Sequence, residues 1–258
     1  MQIAAVSMAP KLRDKEHNLS RMQAEIDSED DLIAFPEICL TGYTIRDEIN
    51  RLAETIPGTS TDRVLKMAAE TNTHIIFGMA EKEGEKFYNT SVLASPDGRI
   101  WSYRKTHPVH FGPFEENLYF TPGQKAEVAE TKIGKIGMTV CYDLFFPELT
   151  KTLALKGADI ITNISASPHV TRPFFEKILP ARAIESTVYM VYSNTVGVYN
   201  NMMFWGGSRI VGPKSRVFAE AKRHKEQTTR AVIDLSELKN AREMRPTLKD
   251  TRKEFSFL

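Results

Sequence analysis

The stretch "KIGKIGMTVCYDLFFPELTKTLALKGADIITNISAS", residues 132–167, carries the fold in its order. Its opening, "KIGKIGMTV", reads as a buried strand. "FPELTKTLALKGA" reads as a helix start, and "ADIITNISAS" as a second apolar strand. A further helix and the strand "VYMVYSNTVG" repeat the alternation downstream. Upstream, "MQIAAVSMA" and "DLIAFPE" read as strands. Between them, "KEHNLSRMQAEIDSE" carries Leu19, Met22 and Ile26 at helical spacing, and "TSTDRVLKMAAETN" opens with the residues of a helix start. Three strand-like runs follow in residues 73–105, separated by the turn signals "EKEGEK" and "SPDGR". "GSRIVGPKSRVFAEAK" is a hairpin, and "TRAVIDLSELKNARE" closes with a strand and a helix. The expected class is α/β, with helices on the faces of mixed sheets. No linker, low-complexity tract or repeat divides residues 1–258, so one domain is expected.

The same stretch poses a chemical question, because Cys141 stands at the end of its strand. Free cysteine is among the most buried residue types, so a core role is its default. Two other strands also deliver a polar residue to their ends: Glu37 after "LIAFP", and Lys105 after "WSYR". Taken singly, each reads as a surface charge. Taken together they are a sufficient set for acyl transfer. A strand-to-helix junction and an ammonium both favour thiolate, and a carboxylate can accept the proton and pass it to a leaving group.

Bulk properties narrow the classes. The chain has 258 residues, 41% hydrophobic and 26% charged, with a formal net charge of +1. That balance lacks the basic footprint of a nucleic-acid binder. No apolar run approaches the ~18 residues that span a bilayer. Two cysteines, Cys39 and Cys141, are too few for a disulfide framework, and a cytoplasmic protein is expected. His107 and His110 are separated by Pro108, which favours an extended segment, so no metal site is expected. The first strand is not followed by a glycine-rich phosphate loop, which counts against nucleotide binding.

Three motifs carry a family resemblance: "AFPEICLTGY", "YRKTHP" and "GMTVCYDLFFPEL", supported by "FEENLYFTPG", "ARAIESTVYMVYSNTVG" and "GGSRIVGPKSRV". With them, essentially the whole chain resembles the nitrilase superfamily, the carbon–nitrogen hydrolases, and is more similar to the amidase and carbamoylase branches. The resemblance implies a four-layer αββα sandwich and hydrolysis of a small amide through a thioester, without metal or organic cofactor. It implies Glu37 as general base, Lys105 and the Tyr142 N–H as oxyanion donors, and Cys141 as nucleophile. By position before the glycine of "YFTPG" it implies Glu116 as a second acid, with Glu115 as the alternative. Cys39 falls where the family does no chemistry, so packing is its expected role.

Many members place arginine where this chain has Phe145, and carbamoyl amino-acid hydrolases use it to hold a carboxylate. A phenyl ring cannot form that fork. The expected substrate is therefore a neutral aliphatic or arylalkyl amide, with carbamoyl compounds and nitriles as alternatives. Arg172 is the candidate replacement cation. Tyr43, Phe145 and Phe146 are expected at the substrate, and Phe111, Tyr119, Phe174 and Trp205 are further aromatic candidates for the pocket. Competing readings are a regulatory small-molecule binder of the same fold and a Cys–His pair using His107 or His169. The resemblance also implies a homodimer, with the apolar tail "KEFSFL" docking on the partner.

Overall fold

The computed structural model describes residues 1–252, so the "KEFSFL" tail lies outside the described residues. In chain order the elements begin β1 (Gln2–Ser7), α1 (Lys15–Glu25), β2 (Leu32–Ala34), α2 (Ile49–Leu52), α3 (Thr59–Thr71), β3 (His74–Glu83), β4 (Lys86–Ala94) and β5 (Ile100–Arg104). A short α4 (Glu116–Tyr119) leads into β6 (Val128–Thr131), β7 (Gly134–Val140), α5 (Pro147–Leu155), β8 (Ile160–Ser165), α6 (Arg172–Ser186) and β9 (Tyr189–Asn194). The hairpin of β10 (Val196–Tyr199) and β11 (Met202–Trp205) follows, then β12 (Arg209–Val211), β13 (Val217–Glu220), β14 (Gln227–Val232) and α7 (Ser236–Met244).

The strands form two six-stranded sheets, ordered β14-β1-β2-β3-β4-β5 and β13-β12-β9-β8-β7-β6. In each, three central strands run parallel: β1, β2 and β3 in one, β7, β8 and β9 in the other. Parallel neighbours need crossovers, supplied here by α1, α3, α5 and α6. Antiparallel strands extend both sheets outward.

Side-chain alternation sets the layers. Ile3 and Ala5 of β1 pack with Ile136, Met138 and Val140 of the opposite sheet. Ala4 and Val6, one residue out of phase, pack with Leu19 and Met22 of α1 and Val64 and Met67 of α3. On the far side, Leu153 of α5 and Leu179 of α6 complete the core over the second sheet. The order is helix, sheet, sheet, helix, the αββα sandwich expected. Strands covered on both faces have no solvent side, which is why "IAAV", "LIA" and "IITNI" read as runs and not as alternations. Among the described residues, no helix is long and apolar enough to cross a membrane.

The helix read from "FPELT" begins at Pro147 as expected, and a 3-10 turn, Cys141–Phe145, joins it to β7. Pro147 forces the residue before it out of helical geometry, and Phe146 is extended at φ −103° and ψ 94°. The helix α5 then starts on the proline, whose missing N–H is harmless at that position.

Candidate active site

The segment after β2 crosses over β3 before it reaches Glu37. Phe35 N–H donates to Ile76 O at 2.7 Å, and Gly78 N–H donates to Pro36 O at 3.2 Å. The crossing requires glycine at 78, because a Cβ there would lie 2.3 Å from Ile38 N and 2.7 Å from Glu37 Cα. Lys105 follows β5, its N–H donating to Asn89 O and its carbonyl accepting from Gly123 N–H, each at 2.8 Å. Gly123 is equally constrained: a Cβ would meet Arg104 O at 2.1 Å. Cys141, the residue after β7, lies in the left-handed region, φ +47°, a conformation that costs a non-glycine residue about 1–3 kcal/mol.

These three chain ends converge. Lys105 Nζ donates to Glu37 Oε1 at 2.9 Å and to Glu116 Oε1 at 2.8 Å. Glu37 Oε1 also accepts from Asn89 Nδ2, and Oε2 accepts from the Ala166 N–H, both at 2.6 Å. Glu116 Oε1 accepts from the Tyr43 hydroxyl at 2.5 Å, and its Oε2 accepts from Val109 N–H at 2.8 Å. Glu37, Lys105 and Glu116 are 0%, 1% and 5% exposed, against 9% for Cys141. The charged groups therefore lie behind the thiol, and the sulfur is their outlet. Glu115, the alternative second acid, is half-exposed beside Arg46.

Burial dominates the electrostatics. It pushes the Glu37 carboxyl above its ordinary value; the Lys105 ammonium opposes this, and the like charge of Glu116 adds to it. For Lys105, burial favours the neutral amine, but the Glu116 and Glu37 carboxylates outweigh it and hold the ammonium well above its usual range. The thiol overturns the sequence expectation. Burial pushes Cys141 well above a free cysteine, Glu37 adds to the rise, and Lys105 offsets only part of it. Attack by this thiol therefore calls on a base to take its proton.

Cys141 opens into a cavity of about 140 Å³. Its walls are formed by Tyr43, Val109, Phe111, Phe114, Tyr142, Phe145, Ala166–Pro168, Thr171, Phe174 and Phe175. Of the expected substrate residues, Tyr43 and Phe145 line it, as do the aromatic candidates Phe111 and Phe174. Phe146 does not; its ring stacks on His107 with centroids 3.5 Å apart. Arg172 points its guanidinium at Glu176, 3.3 Å away. Tyr119 borders a separate hollow with Ile45 and Ile49, and Trp205 is fully buried core. Neither His107 nor His169 is part of the cavity wall. His107 Nδ1 lies 2.8 Å from Asp143 Oδ1, and His169 packs on His224.

Sequence reasoning missed two partners of Glu37. Asn89 lies inside β4, and the polar trio in "FYNTSVLA" was the available signal that this strand reaches something polar. The Ala166 N–H carries no side-chain signal at all.

The carbon–nitrogen hydrolase family profile matches residues 2–243. A protein named nitrilase from Pyrococcus abyssi is 34% identical over 267 residues, covering 100% of this chain and 99% of its own length. An (R)-stereoselective amidase from Pseudomonas sp is 34% identical over 258 residues, covering 98% of this chain and 92% of its own. Among solved structures, a carbon–nitrogen hydrolase from Helicobacter pylori G27 superposes with a TM-score of 0.91 at 25% identity, covering 99% of this chain and 96% of that one.

Proposed function

The chain belongs to the carbon–nitrogen hydrolase family, and from that premise we propose that it hydrolyses a small neutral amide through a thioester on Cys141. The observation that carries this reading is the Lys105 ammonium held between Glu37 and Glu116, behind a thiol that opens on an apolar cavity.

Cys141 attacks the carbonyl carbon while Glu37 takes the thiol proton. The electron pair moves to the carbonyl oxygen, which accepts hydrogen bonds from Lys105 Nζ and the Tyr142 N–H. Tyr142 is the second residue of a 3-10 turn, where an N–H has no partner within the turn. One such donor is worth about 3–4 kcal/mol of barrier. Glu37 gives its proton to the departing nitrogen, the C–N bond breaks, and ammonia or an amine leaves the thioester behind. Glu37 then activates water, the acid departs, and the proton returns to sulfur. A carboxyl raised by burial suits this task, because it must hold a proton between steps. Glu116, anchored by Tyr43 and Val109, keeps Lys105 aimed at the oxygen.

The cavity supports the substrate class. Among the described residues, no cationic side chain lines it, and Phe145 is part of its wall. A carboxylate there has no partner and stays costly to bury. A dry apolar cavity of about 150 Å³ accepts benzene, so the acyl group that fits is phenyl-sized or a compact branched alkyl. Nitriles are the second reading, favoured by the 34% identical relative that bears that name. The same proposal takes residues 1–258 as one domain, working as a homodimer in a reducing cytoplasm where Cys39 and Cys141 stay free thiols.

The test is ammonia release from a panel of neutral arylalkyl amides, carboxylate-bearing amides, carbamoyl compounds and nitriles. Intact-mass measurement of Glu37→Gln incubated with each adds the acyl group retained. Neutral amides turning over best, with their acyl mass on Cys141, is the expected result. Preference for a carboxylate-bearing amide, or no ammonia and no adduct from any compound, refutes the reading.

A further inference from the structure

Asp143 is fully buried, and the chemistry described above does not use it. Its carboxylate is nevertheless among the most heavily bonded in the molecule. Oδ2 accepts from the Tyr103 hydroxyl at 2.8 Å and from the Val140 N–H at 3.0 Å. Oδ1 accepts from the Thr106 hydroxyl at 3.0 Å and the His107 N–H at 3.1 Å, with His107 Nδ1 at 2.8 Å. These partners fall into two groups. Tyr103, Thr106 and His107 bracket Lys105 at the end of β5. Val140 precedes Cys141 at the end of β7, so one carboxylate grips the chain on both sides of the ammonium and next to the thiol.

The two sheets meet here, and no backbone ladder joins β5 to β7. Their ends need another link, and the Val140–Asp143 bond closes a tight loop around Cys141, whose φ of +47° is unfavourable for an L-residue. We propose that Asp143 is a positioning residue, which locks the strained backbone of Cys141 and clamps it to the chain that carries Lys105. The proposal rests on the roles of Cys141 and Lys105 given above. It adds that their separation is set by a third group that never touches substrate. Misplacement of reacting groups by about 1 Å can cost on the order of 100-fold in rate.

The experiment compares wild type with Asp143→Asn and with the milder Tyr103→Phe, which removes one donor without a change of charge. Turnover is expressed per titrated Cys141 site, so loss of folded protein does not count. For Asp143→Asn, kcat is expected to fall about 10- to 100-fold with KM nearly unchanged, and for Tyr103→Phe by less. In the double variant the two effects are expected to fall short of additive, because they act through one contact. Iodoacetamide alkylation of Cys141 supplies a readout independent of any amide: lost positioning slows it, whereas mere loosening of the fold exposes the buried thiol and speeds it. A kcat per site within twofold of wild type, or faster alkylation at Cys141 in both variants, overturns the proposal. A wild type without turnover sinks the amidase reading, and the alkylation result then decides the role of Asp143 alone.

Discussion

Cys39 and Cys141 are both buried thiols, and burial raises the pKa of both. Cys39 lies fully enclosed in the core between the first sheet and its helices, with Gly78 O 3.6 Å from its sulfur. Desolvation is the dominant influence on it and pushes its thiol up to about 12. Cys141 sits at the sheet-to-sheet junction, opens on a cavity, and feels Glu37, Lys105 and Glu116. The difference between the two thiols is therefore not resting acidity. One has a carboxylate that can take its proton at the moment of attack and an ammonium that can receive the charge released; the other has neither.

The comparison breaks most completely with Cys141→Ala. That variant is expected to lose turnover by about 10⁴-fold or more, measured as ammonia release per folded protein. Glu37→Gln leaves the sulfur, Lys105 and the cavity in place but removes the proton acceptor that Cys39 also lacks. Its kcat is expected to fall about 10²- to 10⁴-fold, with the adduct trapped in intact-mass spectra. Lys105→Met removes an oxyanion donor, for an expected loss of about 10²- to 10³-fold in kcat. It also leaves Glu37 and Glu116 buried without their cation, a destabilisation of about 3–5 kcal/mol near neutral pH. Burial already holds Glu37 above its ordinary value, and loss of the ammonium that opposes this raises it further, so its protonated form favours the fold. The stability deficit should therefore shrink as pH falls, which thermal melts across pH will show.

Glu116→Gln sharpens the comparison without abolishing it. In the wild type, burial and the Glu116 charge hold Glu37 above its ordinary 4.5, so the acid limb of kcat/KM should lie above that pH. Activity rises as the coupled cluster loses its proton through that limb. Removing the like charge lowers Glu37, and the limb is expected to move toward lower pH. The smallest effect belongs to Cys39→Ala. Its kcat is expected within about threefold of wild type, with a stability loss of about 1–2 kcal/mol from the small void, read by denaturant titration.

Glu37, Lys105 and Cys141 were legible from the chain only as a set: singly each reads as surface charge or core, and together with the family resemblance they point to one site. The α/β class was legible in the alternation of strand and helix patterns, whereas the four-layer αββα arrangement came only from the family resemblance. The direction of the Cys141 shift was not legible: the charge of Lys105 is visible in sequence, but the burial around the sulfur, which pushes the thiol up, is not. Phe146 and Arg172 carried the right chemistry, yet neighbours invisible in sequence claimed them: His107 for the ring and Glu176 for the guanidinium. Asp143 stood inside a quoted motif without its role showing, because its partners at the end of β5 lie as far as 40 residues upstream.

Sequence alone determined which groups were available and how the chain could bend locally. It supplied the proline that delays α5, the glycine that lets the Glu37 segment cross β3, and three reactive side chains at strand ends. Tertiary structure decided what those groups are to one another. Glu37 accepts a hydrogen bond from the backbone of a residue 129 positions away. Charge interactions and desolvation depend on separation and surroundings, and packing one sheet against the other is what sets both.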